Sequence, residues 1–348
     1  MIGGSAYVVG LGETPFAPRR DDVNTTELAW EAIREALGDA GVELTQITGV
    51  ISASQDFWEG RTISSMAVNE VAGATFKAES KVAADGALAV GYAAARIATG
   101  SDSLMLVVAH CKESQADVHQ VENAAFDPLG QRLLDPDETV IAGFQAQLLD
   151  FDLGDRARVV AAARGRSQWL EPADSAAVAS SPETATPLRE LERAPRMDGA
   201  CALVLCDEPT ATRLGRPAVR VASVATDTDS YWLDRDLTTA PGLKRAFADA
   251  LSAAGWDDAP DHVDLSAPFA HHALLFAREL GAGGAEAYEN GLCPTGGWLA
   301  GRPGVVAGLS NVIHGVRALQ GTGNRALAHG TTGLLCQSHH VVCLEGAG

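Results

Sequence analysis

Residues 81–114 read KVAADGALAVGYAAARIATGSDSLMLVVAHCKES. From Gly86 to Thr99 nearly every side chain is small or apolar, and only Arg96 is charged. A helix over this segment is apolar all round, and such a helix is buried. Past the break at Gly100–Asp102, Leu104–Ala109 is an unbroken run of Leu, Met, Val and Ala, the pattern of a strand covered on both faces. A buried helix feeding a buried strand predicts a layered α/β/α interior.

Outward from this unit the chain repeats itself. Ala6–Gly12 predicts a strand, and a helix follows through Ala40 with Leu28, Ala32, Ala36 and Leu37 on one face. Thr25 or Thr26 is its expected N-cap and Gly41 its stop. Gly49–Ser52 predicts the next strand. In the second half Ala218–Val224 predicts a strand, Leu237-Thr238-Thr239-Ala240-Pro241 supplies a second Thr-Thr cap before a helix carrying Leu243, Phe247, Ala250 and Leu251, and His262–Leu265 repeats the short strand. Pro303–Leu319 is a second nearly all-apolar helix, again followed by a strand, Arg325–Ala328. A period this long predicts two copies of a whole α/β unit, 1–210 and 211–348, rather than a solenoid. Between them the polar, Pro-containing region of about 115–192 predicts a loop region with helical pieces at Glu138–Leu149 and Asp155–Leu170.

The 348 residues, 46% of them hydrophobic, suffice for a large core. A net charge of −19 argues against a nucleic-acid surface, which needs clustered cations, and against an anionic membrane. A phosphate-bearing ligand needs a local positive patch, for which Arg61, Lys77, Lys81 and Arg302 are candidates. Six cysteines show no metal spacing, and Cys201 and Cys206 lie in the apolar run CALVLC, where a free thiol behaves as a small hydrophobe. With no leader-like opening and no run of about 18 apolar residues, the expectation is a reducing cytoplasmic compartment, with no bound metal or cofactor.

The segment Ala83-Ala84-Asp85-Gly86, with its strand ending in Ala109-His110-Cys111-Lys112-Glu113-Ser114, resembles the nucleophile helix of thiolases. There Cys-Ala-Ser-Gly opens the helix and Gly-Gly-x-Glu-Ser follows the strand, so Ala83 stands at the nucleophile's place. Arg196-Met197-Asp198-Gly199-Ala200 resembles the family's Arg-x-Asp-Gly-Ala return strand. Ser266-Ala267-Pro268-Phe269-Ala270 falls on the Asn-Glu-Ala-Phe-Ala motif, or His-Asp-x-Phe in the sterol-carrier-protein branch. Cys293-Pro294-Thr295-Gly296-Gly297 with Gly301-Arg302-Pro303 falls on Asn-Pro-x-Gly-Gly and Gly-His-Pro. Ala328-His329-Gly330-Thr331-Thr332-Gly333 is similar to that branch's His-Gly-x-Gly-Gly. The resemblance implies a duplicated thiolase fold, five-layered α/β/α/β/α, with two pseudo-repeated halves and a short loop domain.

A methyl group at Ala83 cannot form the acyl-enzyme that a helix-terminal thiolate forms. The resemblance to thiolase-like aldolases of the lipid-transfer branch therefore implies retro-aldol cleavage or formation of a C–C bond on a β-hydroxyacyl-CoA, the coenzyme A thioester being substrate. His329 is then the expected base. Arg302, Ser266 and the helix-start amides at Asp85 and Gly86 are the expected enolate donors, and Ala83, Gly86, Gly297 and Gly330 line the substrate. The expected partners are acyl-CoA, a second copy of the chain, and a small OB-fold, zinc-ribbon protein. Simpler readings stand beside these: Asp85 as a helix cap, Cys111 as inert filler, His271 and His272 as solvated or capping residues, Ser266 as a turn residue, Arg302 paired with an acidic neighbour. Two other functions remain open, a non-catalytic subunit of an acyltransferase complex and an acyltransferase using another thiol such as Cys111 or Cys293.

Overall fold

The computed structural model describes residues 2–231 and 234–347. Its strands are β1 (Ile2–Glu13), β2 (Gly49–Ala53), β3 (Ala78–Val82), β4 (Leu104–Cys111), the short ribbon β5 (Glu183–Ala185) and β6 (Leu188–Arg189), β7 (Gly199–Asp207), β8 (Val219–Thr228), β9 (His262–Asp264), β10 (Arg325–Thr332) and β11 (Ser338–Gly346). Nine of them form one sheet in the order β3-β2-β4-β7-β1-β8-β11-β10-β9. On one side of the β1–β8 junction the order β2-β4-β7-β1 has β2 and β4 parallel and the other pairs antiparallel. On the other side β9-β10-β11-β8 repeats that pattern, with β9 and β10 parallel. Only β3 lacks a counterpart among the described residues.

The helices are α1 (Thr25–Ala40), α2 (Gly86–Ala98), α3 (Val118–Ala124), α4 (Glu138–Leu149), α5 (Leu153–Gly165), α6 (Ser175–Ser180), α7 (Glu208–Leu214), α8 (Pro241–Ala254), α9 (Ala270–Glu279), α10 (Ala285–Glu289) and α11 (Ala307–Leu319). The layering follows from which residues share a core. Ala87, Val90 and Ala94 of α2 and Leu309, Ile313 and Val316 of α11 are buried together with Val107 and Leu203 from one half of the sheet and Ala328 and Val342 from the other. The sheet therefore wraps around the α2–α11 pair. Its outer faces are covered by α1, through Leu28 and Ile33, and by α8 and α9, through Leu243, Phe247, Leu274 and Phe276. Five layers result, held by apolar side chains that each contribute about 1.5–3 kcal/mol when fully buried.

The two central helices meet at Gly86, where a Cβ would lie 2.6 Å from the Cβ of Leu309. Any side chain there forces them apart. The apolar helix expected over Pro303–Leu319 is split, with a 3-10 turn over Gly304–Val306 before α11. The N-cap of α1 is Asn24, not Thr25 or Thr26: the Asn24 side chain accepts from Glu27 N and the Glu27 carboxylate accepts from Asn24 N, a reciprocal pair that neither threonine could form with Glu27. Thr26 instead donates to the Ala67 carbonyl. No described helix is long and apolar enough to cross a membrane.

Candidate functional site

A cavity of about 260 Å³ opens where the parallel strands end, the place where open α/β sheets carry their ligands. Gln55 and Trp58 follow β2, Glu113 follows β4, Pro268 follows β9, and Thr331–Gly333 closes β10. Gly304 and Val305, at the approach to α11, complete the floor, and α4 and the chain before β7 bring Glu138, Arg193 and Arg196.

Its polar wall is an alternating ion cluster. Arg196 meets Glu113 at 3.2 Å and Glu122 at 2.5 Å, while Arg193 meets Glu122 and Glu138 at 3.3 Å each. Three carboxyls against two guanidiniums leave one negative charge in excess if all ionise. Burial raises the pKa of Glu138, and the neighbouring Glu122 adds to this against the pull of Arg193. Burial also raises Glu113, against the pull of Arg196. The cluster can hold or release a proton near neutral pH, which is what general acid–base chemistry requires. Its residues come from separate segments; Glu113 and Arg196 fall within the two strand-end motifs quoted from the sequence, whereas no motif marks Glu122, Glu138 or Arg193.

The residues expected from sequence lie elsewhere. His329 is buried; its Nδ1 accepts from Ser266 N at 3.3 Å, and its Nε2 faces His339 Nδ1 at 3.1 Å. Phe247 and Phe276 pack on the same ring. It points into the outer layer under α8 and α9, because Ala328 and Gly330 of β10 face the central helices and the alternation sends residue 329 the other way. Ser266 stays beside it: Asn311 of α11 donates to both Ser266 Oγ (3.1 Å) and the His329 carbonyl (2.9 Å). Neither residue lines the cavity.

Asp85 is the N-cap of α2, accepting from Ala87 N at 2.8 Å, and its second oxygen accepts from Gly308 N at 2.9 Å in the first turn of α11. The carboxyl thus ties both central helix starts together, and burial lifts its pKa to about 7 against those two hydrogen bonds. Gly86 and Gly330 pack around this junction, whereas Ala83 is exposed on the bend before α2. Gly297, at φ 58°, would place a Cβ 2.3 Å from the Leu265 carbonyl oxygen, so its role is close backbone approach. Among the described residues Arg302 has no acidic partner within ion-pair distance; its Nε donates to Ser310 Oγ at 2.8 Å, and it lines a separate cavity of about 130 Å³ with Arg166 and His314.

Cys111 is buried and donates to Glu113 at 3.2 Å; burial and the adjoining carboxylates push its pKa up, which makes it a poor nucleophile. Cys293 Sγ accepts from Leu265 N at 3.0 Å, behind the cavity wall. His271 and His272 are neither solvated nor capping: both are buried in the first turn of α9, facing Gln145 of α4. Among the described residues no group of three or more His, Cys, Asp or Glu is placed to hold a metal.

The layered architecture around two paired central helices is that of thiolase-like proteins. The chain matches a structure described as an Ltp2-ChsH2(DUF35) aldolase with a TM-score of 0.81 at 19% identity, over 99% of this chain and 98% of that one. It matches a monomeric SCP2-thiolase-like protein type 1 from Mycobacterium smegmatis with a TM-score of 0.76 at 19% identity, over 99% of this chain and 78% of that one. An acetyl-CoA acetyltransferase from Syntrophomonas wolfei gives a TM-score of 0.72 at 16% identity, over 99% of each chain. No protein-family model and no curated protein matches the sequence. At these identities the likeness is one of fold.

Proposed function

We propose that the chain is an acyl-CoA enzyme that cleaves or forms the carbon–carbon bond of a β-hydroxyacyl-CoA by a retro-aldol reaction. The observation that carries this reading is the cavity at the strand ends with a carboxyl of raised pKa in its wall. Retro-aldol cleavage needs a base for the β-hydroxyl and cationic or N–H donors for the thioester enolate. Glu138 is the base in this reading, in place of His329, because a base must come within hydrogen-bond reach of the hydroxyl it deprotonates. Arg193 and Arg196 on the same wall are the enolate donors. Ser266 and His329 act from behind, anchoring the start of the Thr331–Gly333 turn, and Asp85 sets the spacing of the two helix starts below it.

The fold neighbour described as an aldolase carries a second component in its own description. On that ground a small OB-fold, zinc-ribbon partner is proposed here too, with a second copy of the chain as the alternative assembly. The test is release of an aldehyde or ketone together with a shortened acyl-CoA by the chain with its partner. Glu138→Gln is expected to lower kcat about a hundredfold and to flatten the pH profile near neutrality. An unchanged rate in Glu138→Gln, with a comparable loss in a folded His329→Ala, would return the base to His329.

A further inference from the structure

Arg302 lies two residues before Gly304 of the first cavity's floor, yet it lines the second cavity, of about 130 Å³, with which the first shares no lining residue. Two guanidiniums, Arg302 and Arg166, border this space, and among the described residues no carboxylate does. Arg302 is 3% exposed and permanently charged. Its Nε is committed to Ser310 Oγ, but among the described residues its buried Nη1 has no acceptor. A buried N–H of a charged group without an acceptor is costly. The carboxylates that feel the charge of Arg302 are engaged elsewhere. Glu13 accepts from Ser310 at 2.5 Å and from Arg317 at 2.9 Å; against the cost of burial, His314, Ser310 and the charge of Arg302 hold its pKa at about 2. Asp264 takes Thr295 Oγ1 at 2.7 Å and His262 Nε2 at 2.8 Å. Both Nη atoms of Arg166 donate to carbonyls, those of Tyr288, Glu289, Leu292 and Cys293, so Arg166 adds charge to the cavity and leaves the recognition to Arg302. The remaining wall is partly apolar: Pro294, Ala300 and the half-buried ring of Trp169, which packs against Phe16 with centroids 5.1 Å apart.

We propose that this second cavity binds a small aliphatic carboxylate, of acetate to butyrate size, with its carboxylate on Arg302 and its alkyl tail against Trp169, Pro294 and Ala300. A guanidinium matches a carboxylate fork to fork, and the ligand supplies the acceptor that Nη1 lacks. With a second guanidinium in the wall and no carboxylate beside it, the cavity favours one negative charge. A neutral ligand leaves that charge unanswered. Sulfate or phosphate meets the charge and leaves the apolar wall uncovered, whereas a short alkyl tail removes it from water. The volume also bounds the ligand, since sites for drug-sized molecules run to roughly 300–1,000 Å³, so a coenzyme A thioester does not fit. The site stands apart from the retro-aldol reading, in which Arg302 takes no part.

Calorimetric titration of the full chain with sodium propionate, exchanged against sodium chloride at constant ionic strength, reads the binding directly. Saturable one-to-one binding is expected, with a dissociation constant on the order of 1 mM, weakened about tenfold or more in Arg302→Gln. Arg302→Lys keeps the charge without the fork and should fall between the two. Propionate should bind about tenfold more tightly than formate, because two further carbons are buried. Trp169→Ala should remove most of that advantage and leave formate as it was, a split that general loosening of the fold would not produce. Thermal unfolding in parallel should show propionate raising the Tm of wild type and not that of Arg302→Gln. Should Arg302→Gln fail to fold, the ratio of propionate to formate affinity in wild type and Trp169→Ala decides alone. Absence of saturable binding to wild type, equal binding to a folded Arg302→Gln, or sulfate displacing propionate at equal concentration overturns the proposal. Aldehyde release is a separate assay, so failure of the retro-aldol reading and failure of this site are read independently.

Discussion

A Cβ at Gly308 would stand 1.9 Å from Asp85 Oδ1, and one at Gly330 would stand 2.0 Å from the same atom. Asp85 is fully buried, held by two backbone N–H groups and pressed by two glycines, so it cannot step aside. Gly308→Ala is expected to cost about 1–3 kcal/mol in urea unfolding. The closest clash is with the Asp85 carboxyl, with Gly330 Cα next at 2.7 Å, so in an Asp85→Ala background the added cost should shrink by about 1 kcal/mol or more without vanishing. Equal costs in both backgrounds would mean that the strain lies in the backbone instead. Asp85-Gly86 as a helix start was legible in the sequence because capping chemistry is local. The side to which His329 points was legible too, had the alternation of small residues Ala326, Ala328 and Gly330 been counted along the strand. The contacts of Cys336 with His272 and of His272 with Gln145 were not, since the partners lie 64 and 127 positions apart, and the two short motifs beside them cover neither His272 nor Gln145.

The same division holds for whole elements. The buried α2 and α11, the strands beside them and the repeat of their order were readable, because an all-apolar helix admits one environment. Helix starts were less so. The parallel Thr-Thr caps expected before α1 and α8 are absent in both copies: α1 uses Asn24, and α8 has no side-chain cap from its own N-terminal residues. Asp229, at the end of β8, reaches over to accept from Gly242 N at 2.8 Å, and also pairs with Arg235 at 3.2 Å and Arg245 at 3.4 Å. A cap supplied from 13 residues upstream leaves no signature next to the helix. Asp229→Ala should therefore destabilise by about 1–3 kcal/mol, since it uncaps α8 and strands the largely buried Arg235. Thr239→Ala, at the position the sequence favoured, should change thermal stability by less than about 0.5 kcal/mol. The reverse order of effects in calorimetry would remove Asp229 as the cap.

At the scale of the molecule, the second half of the chain buries five histidines, His271, His272, His329, His339 and His340. Burial lowers the pKa of His271 and His339 to about 3 and of His340 to about 4, and takes His272 and His329 well down as well. Each is neutral when folded and returns to about 6.5 when unfolded, so the stability it lends is present above that value and is lost as pH falls. Asp85, Glu113 and Glu138, raised by burial, act in the opposite sense: they favour the fold more as pH drops toward their unfolded values. Between pH 6.5 and 5 the five histidines outnumber the three raised carboxyls, so unfolding takes up protons net and stability falls as the pH falls. Urea unfolding at pH 7, 6 and 5, in salt enough to screen the −19 net charge, should show the midpoint falling steeply with little change in slope. A midpoint that stays level or rises on acidification would mean that these rings already carry protons inside the fold.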